Sequence, residues 1–282
     1  MNFIRNFTKT LLIPRITYGL RLYSTPSQLL INEEQGIRTI TLNNLKTRNA
    51  LSLEMLTELE EALTRPSVDL RCIILCAAGK VFSAGHNLKE LTSADGRSHH
   101  QIVFDNCSSM MLKIQQLPVP VIAKVNGIAA AAGCQLVASC DIVVATENSS
   151  FSTPGGSVGI FCSTPGIPLV RCVPRKVAAH MLLTGLPISA PEALQAGLIS
   201  KMVSEADLDA EVGRVALAIS SKSKSVMALG KKFMYEQMDM NIQEAYQAGS
   251  CVMVNNINMN DGQEGIDSFI KKRKPVWSHS ED

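Results

Sequence analysis

Aromatic residues are scarce in this sequence, with one tryptophan and four tyrosines among 282 residues. That scarcity excludes a surface of stacked aromatic platforms for single-stranded nucleic acid. The net charge of +2 is too small to attract a phosphate backbone, so no nucleic-acid partner is expected. No apolar run reaches the roughly 18 residues needed to cross a bilayer, so no membrane span is expected either. CxxC spacing is absent from the eight cysteines, and no histidine joins them at zinc-finger spacing. The thiols lie in apolar runs such as Arg71-Cys72-Ile73-Ile74-Leu75-Cys76. They read as buried free cysteines in a reducing compartment, with no metal to hold.

Acids are missing from the start of the chain. Arg5, Lys9, Arg15 and Arg21 precede the first carboxylate, Glu33. Interspersed basic and apolar residues without acid are the mark of a mitochondrial import sequence, here residues 1–23. Arg21-Leu22-Tyr23 before Ser24 resembles a matrix-protease cleavage site. A matrix location is therefore expected.

What is present is a succession of strands and helices. Gln28–Ile31 and the alternating Ile37–Leu42 read as a hairpin, and Ser52 starts a helix carrying Leu56, Leu59 and Leu63 on one face until Pro66. Arg71–Ala77, Val119–Val125 and Asp141–Ala145 are the continuous apolar runs of doubly covered strands, and His100–Gln116 has helical spacing. Ser189-Ala190-Pro191-Glu192 fits a capping box; Gly197 closes that short helix and Leu198–Val203 follows as a strand. From Glu205 to Ile270 the pattern is mostly helical. Interleaved strands and helices followed by a helical tail predict an α/β core over 24–204 and a helical lobe over 205–282.

Two segments stand out: Val81-Phe82-Ser83-Ala84-Gly85-His86-Asn87 and Val125-Asn126-Gly127-Ile128-Ala129-Ala130-Ala131-Ala132-Gly133-Cys134-Gln135. Each is a strand-like run that stops at small residues and then opens a helix. Small residues let backbone approach a ligand closely, and a helix start leaves N–H groups unpaired. Two such turns can aim two N–H groups at one oxygen and stabilise an oxyanion.

These two segments, together with Ser150-Phe151-Ser152-Thr153-Pro154-Gly155-Gly156, the stretch around Leu186-Pro187-Ile188-Ser189-Ala190-Pro191-Glu192, and Asp261-Gly262-Gln263-Glu264-Gly265 to Pro275, resemble the enoyl-CoA hydratase/isomerase (crotonase) superfamily. The similarity runs from about Ile37 to Pro275, in order, and is nearest to a mitochondrial branch. The resemblance implies an α/β crotonase spiral of ββα turns, a C-terminal helical lobe that helps form a homotrimer or homohexamer, and acyl-CoA thioester substrates with no separate cofactor. It implies that backbone N–H groups of His86 and Ala132 form the oxyanion hole, with Ala84 beside them. It places Lys89 near the CoA phosphates, and Lys271 and Lys274 in a basic run facing the adenosine end, often from a neighbouring subunit.

The pattern departs from the family at the acids. Two glutamates that manage water and protons in hydratases correspond here to Gln135 and Gly155. An amide orients water but does not take its proton near neutral pH. General acid–base assistance is typically worth about 10²–10⁴ in rate, so ordinary hydration is expected to be slow. Cys162, on the loop after Gly155, is the candidate stand-in: an acid at its usual pKa, a base if that were lowered. Glycine is also usual in the family where Ala131 and Ala132 stand, and alanine at positive φ would cost on the order of 1 kcal/mol or more. Asp141 reads as structural. The function expected is an acyl-CoA-binding, thioester-polarising member of fatty-acid metabolism, by family a hydro-lyase with weak or altered activity. The alternatives are a non-catalytic acyl-CoA-binding regulator and, because Ser83-Ala84-Gly85-His86-Asn87 resembles the equivalent turn of methylmalonyl-CoA decarboxylase, a decarboxylase of malonyl-type thioesters.

Overall fold

The computed structural model describes residues 27–280 and 282; the import segment expected over 1–23 lies outside them. The chain opens with an antiparallel hairpin of β1 (Leu29–Glu34) and β2 (Ile37–Leu42). Its two-residue turn, Gln35 and Gly36, has φ +51° and +76°, the mirror-image turn that matches strand twist. β1 runs three residues past the expected Ile31. Helix α1 (Leu53–Thr64) is capped by the Ser52 hydroxyl, which accepts the Met55 N–H at 3.1 Å. It buries Met55, Leu56, Leu59 and Leu63 against the sheet.

β3 (Cys72–Ala77), β5 (Val121–Val125), β7 (Ile142–Thr146) and β10 (Lys201–Val203) complete a six-stranded sheet in the order β1-β2-β3-β5-β7-β10, parallel apart from the first pair. Three of these strands lead into very short ones: β4 (Val81–Ser83), β6 (Ile128–Ala130) and β8 (Ser150–Ser152). With β9 (Ile188–Ser189) they form a second sheet, order β4-β6-β8-β9. Helices α2 (Gly96–Gln116), α3 (Ala132–Ser139) and α4 (Ser163–Cys172) follow β4, β6 and β8 in turn. This repetition is the expected spiral of ββα turns. The main core lies between α1–α3 and the large sheet.

Some boundaries move. α2 begins at Gly96, four residues before His100. The strand after α6 (Ala190–Ala196) starts only at Lys201, because the Leu198 N–H is spent on Ala193 C=O at 2.9 Å. The first small-residue turn opens a 3-10 turn over Leu88–Glu90 rather than an α-helix. The capping box on α6 is present as read, with Ser189 and Glu192 bonded reciprocally and Gly197 at the C-cap.

After α5 (Arg175–Thr184) and α6 come α7 (Leu208–Ser220), α8 (Lys224–Glu236), α9 (Ile242–Asn258) and α10 (Asn260–Ile270). α7 packs Leu208, Val212 and Ala216 on the opposite face of the large sheet, against Cys72, Ile74, Ile122 and Val144. α9 buries only Ala245 and exposes Ile242, Tyr246, Met253 and Val254. No helix among the described residues is long and apolar enough to cross a membrane.

Candidate active site

The two small-residue turns meet. A Cβ added to Gly85, at φ +92°, would lie 2.8 Å from Ala131 Cβ and 3.2 Å from Ala132 N. Glycine is thus required at 85 both for its backbone angle and for the approach. Gly133 presses equally closely on Ser83, whose Cβ would be 2.7 Å from an added one.

Amide bookkeeping around the junction is informative. The Ala84 N–H donates to Arg48 C=O at 3.1 Å, and the Gly85 N–H to Ser83 Oγ at 3.2 Å. The Ala131 N–H donates to Ser152 C=O at 2.9 Å. The His86 N–H has no acceptor among the described residues. Ala132 is the first residue of α3, so its N–H has no intrahelical acceptor, and no side chain caps that helix. Ala131 itself sits at φ +49°, ψ −118°. A β-carbon there is strained by about 1–3 kcal/mol. Ala132, by contrast, is an ordinary helical residue that pays nothing for its methyl group.

A cleft of about 800 Å³ opens over this junction. Ala84, His86, Lys89, Ala132 and Cys162 all line it, as does Gly155. Leu91, Phe104, Val158, Ile160 and Phe161 make much of its wall apolar. Lys46 and Lys89 are its charged residues, and both are solvent-exposed. Lys46 and Phe104 escaped the sequence reading. Lys46 lies in an irregular 3-10 turn, Leu45–Thr47, with no pattern to mark it, and Phe104 is one apolar position among several on α2.

His86 is held on both sides. Its Nδ1 lies 3.2 Å from Leu51 C=O, and its ring stands edge-on to Phe104 with centroids 4.9 Å apart. A carbonyl only accepts, so Nδ1 carries the proton and Nε2 presents a bare lone pair. Nε2 is buried without a partner. Burial pulls the imidazole pKa below its usual value, opposed by the Leu51 bond and by Glu90. The ring is therefore neutral at pH 7.

Gly155, expected from the resemblance to stand at the second acid position, has no room for a side chain. A Cβ there would overlap Ile160 C=O and lie 2.8 Å from Cys162 Sγ. The Gly155 N–H instead donates to Cys162 Sγ at 3.3 Å. Burial raises the Cys162 pKa, and the Gly155 N–H only partly offsets that. Cys162 thus stays protonated at neutral pH: it fits an acid, not a base.

Gln135 is 3% exposed on the first turn of α3, and its Oε1 has no partner. It is not among the residues that line the cleft. Thr153, fully buried, has an equally unpartnered hydroxyl; sequence reasoning missed it, having no reason to separate one threonine from the Phe151–Pro154 block. A buried polar group left unpaired costs about 1–3 kcal/mol. Lys271 and Lys274 do not line this cleft. Lys271 pairs with Asp267 at 2.7 Å, and Arg273 between them is held by Glu264 and Asp267. Asp141 is structural as expected: it accepts from Lys231 Nζ (2.6 Å), Tyr235 OH (2.8 Å) and the Val121 N–H (2.6 Å). No cluster among the described residues is fit to hold a metal ion.

Comparison with known proteins fits this geometry. The sequence profile of the enoyl-CoA hydratase/isomerase family matches residues 32–280. The chain is 56% identical over 261 residues to enoyl-CoA hydratase domain-containing protein 3, mitochondrial, of Xenopus laevis, covering 92% of this chain and 88% of the relative. The crystal structure of human enoyl coenzyme A hydratase domain-containing protein 3 superposes with a TM-score of 0.88 at 54% identity, covering 89% of this chain and all of that one (100%). An enoyl-CoA hydratase structure from Mycobacterium smegmatis gives 0.87 at 42% identity, over 89% and 99% of the two chains. The fold, the converging turns and these matches together place the chain in the enoyl-CoA hydratase/isomerase family.

Proposed function

We propose that this chain is a mitochondrial matrix protein of fatty-acid metabolism that binds acyl-CoA thioesters and polarises the thioester carbonyl with the N–H groups of His86 and Ala132. One observation carries the reading: the His86 and Ala132 N–H groups, one from each of the two touching turns, have no acceptor among the described residues, and both residues line the cleft. A carbonyl oxygen set between them gains two donors and the positive end of α3. The exposed lysines Lys46 and Lys89 suit the CoA phosphates as flexible point charges. Cys162 acts as the proton donor in place of the missing acid. Without a carboxylate base, hydration runs at least about 10² slower than in a two-glutamate hydratase.

The lobe over 205–282 serves assembly into a homotrimer or homohexamer, and the exposed apolar residues of α9 support that reading. Assembly is also how Lys271 and Lys274 reach the adenosine end of a CoA bound in another subunit.

The test is turnover of crotonyl-CoA by the mature chain beside a two-glutamate hydratase. Comparable rates overturn the proposed loss of hydration. A non-catalytic acyl-CoA binder is the second reading, favoured by the packing of Cys162 into the space of the lost side chain. It requires binding without turnover across enoyl, dienoyl and malonyl thioesters. Substrate consumption that falls in Cys162→Ala eliminates it. Carbon dioxide release from a substituted malonyl-CoA is the signature of the decarboxylase alternative.

A further inference from the structure

A nucleophile, a proton acceptor and two free N–H donors belong to residues that line one cleft: Cys162, His86 and Ala132. Cys162 is the N-cap residue of α4, and its side chain caps no amide of that helix. The sulfur instead accepts the Gly155 N–H at 3.3 Å. A helix start and a donated N–H both favour negative charge on sulfur, while burial opposes it. His86 contributes twice. Its N–H has no acceptor and its Nε2, a bare lone pair, has no partner among the described residues. Binding a thioester makes no use of that lone pair. Among the described residues, no aspartate or glutamate lines the cleft.

With no carboxylate base in its lining, the cleft favours the nucleophile that gives up its proton most easily. Water ionises with a pKa of about 15.7, a thiol with one of about 8.5. Burial of Cys162 narrows that gap, but a neutral imidazole still takes a proton from sulfur far more readily than from water. An unsaturated thioester is electrophilic at C3, where a soft sulfur adds well. We propose that Cys162 adds covalently to C3 of α,β-unsaturated acyl-CoA thioesters held in this cleft, giving a protein thioether. This rests on the thioester reading above, and it names the class of acyl group on which the site acts. The Sγ–C3 bond forms as the C2=C3 π pair shifts toward the carbonyl oxygen. The N–H groups of His86 and Ala132 hold that oxygen as an enolate. His86 Nε2 takes the thiol proton and returns it to C2, which restores the carbonyl. The product keeps every atom of both reactants; nothing is oxidised and no group leaves. A saturated acyl chain has no acceptor carbon and does not react.

Mass spectrometry of the intact mature chain tests it. Incubated with crotonyl-CoA and quenched in acid, the protein gains the mass of one whole crotonyl-CoA; with the saturated butyryl-CoA it gains none. Peptide mapping of the unsubstituted protein places the adduct on Cys162. It forms there at least about 10²-fold faster than on the exposed Cys172 and Cys251, which stand outside the cleft, since a single oxyanion donor is worth about 10²–10³ in rate. Cys162→Ala abolishes the adduct. His86→Gln keeps the backbone N–H and slows adduct formation by about 10²-fold, the lower end for general acid–base assistance. An unchanged rate in His86→Gln overturns the proton route through the imidazole. A gain of the acyl group alone, with release of free CoA, overturns addition at C3. Calorimetric binding of crotonyl-CoA with no adduct overturns it too, and leaves the thioester reading standing. Failure of both esters to bind sinks that reading and the addition with it.

Discussion

Two buried polar clusters in this fold are built on opposite plans. At Asp141, just ahead of β7, every group is matched: the carboxylate takes Lys231, Tyr235 and the Val121 N–H, and Lys231 Nζ donates further to Ile114 and Val119 C=O at 2.8 and 3.0 Å. By contrast, His86 Nε2 at the cleft, and Gln135 Oε1 and Thr153 Oγ1 outside its lining, are equally enclosed with no partner among the described residues. The first cluster fastens α8 to the core. The second set is left unmatched, which costs stability.

The sharpest way to break that contrast is to cut one member from each. Lys231→Met strands Asp141 as a buried carboxylate and lowers stability by about 3–5 kcal/mol, read as a fall in the urea midpoint. Thr153→Val removes an atom that bonds nothing, so in the unliganded chain it is neutral or stabilising by up to about 1–3 kcal/mol. Similar losses in both variants would erase the distinction.

Next in size is Gly155→Glu. The new side chain must displace Ile160 and Cys162, an overpacking worth about 1–3 kcal/mol of destabilisation. Crotonyl-CoA turnover is expected not to rise, even when Gln135→Glu is added. Ala131→Gly acts the other way. It relieves the positive φ at the turn presenting the Ala132 N–H and raises stability by about 1 kcal/mol, net of the entropy glycine adds to the unfolded chain.

The smallest effect is that of pH on His86. Its pKa lies below the unfolded value near 6.5. The unfolded state therefore binds more protons in the interval between the two values. The stability conferred by the neutral ring is fully present above about pH 6.5 and is lost as pH falls through the folded pKa. In His86→Gln that part of the pH dependence disappears, as denaturation midpoints at pH 5 and 7.5 would show.

The sequence carried much of this wherever a residue type has one mechanical use. Ser52 and Ser189 could be read as caps because a hydroxyl before an apolar-periodic run has few other employments, and Ile37–Leu42 emerged with both ends correct through its alternation. The strands β4, β6 and β8 were not resolved as separate elements: three residues are too few to show a period. Their sheet is nonetheless what brings Gly85 against Ala131 and Ser152 against Ala130. For the same reason Thr153 and Phe104 were invisible, since their significance is positional. Gln135 and Gly155 were noticed as losses, but only coordinates show that one became an enclosed amide and the other a filled space.

The filled space at Gly155 acts as a lock on that position. With residues 160–162 packed beside it, and a sulfur accepting the backbone N–H that a larger residue would push aside, no single substitution at 155 delivers a side chain to the cleft without moving its neighbours. A larger residue there is accommodated only when the 160–162 segment is remodelled together with it.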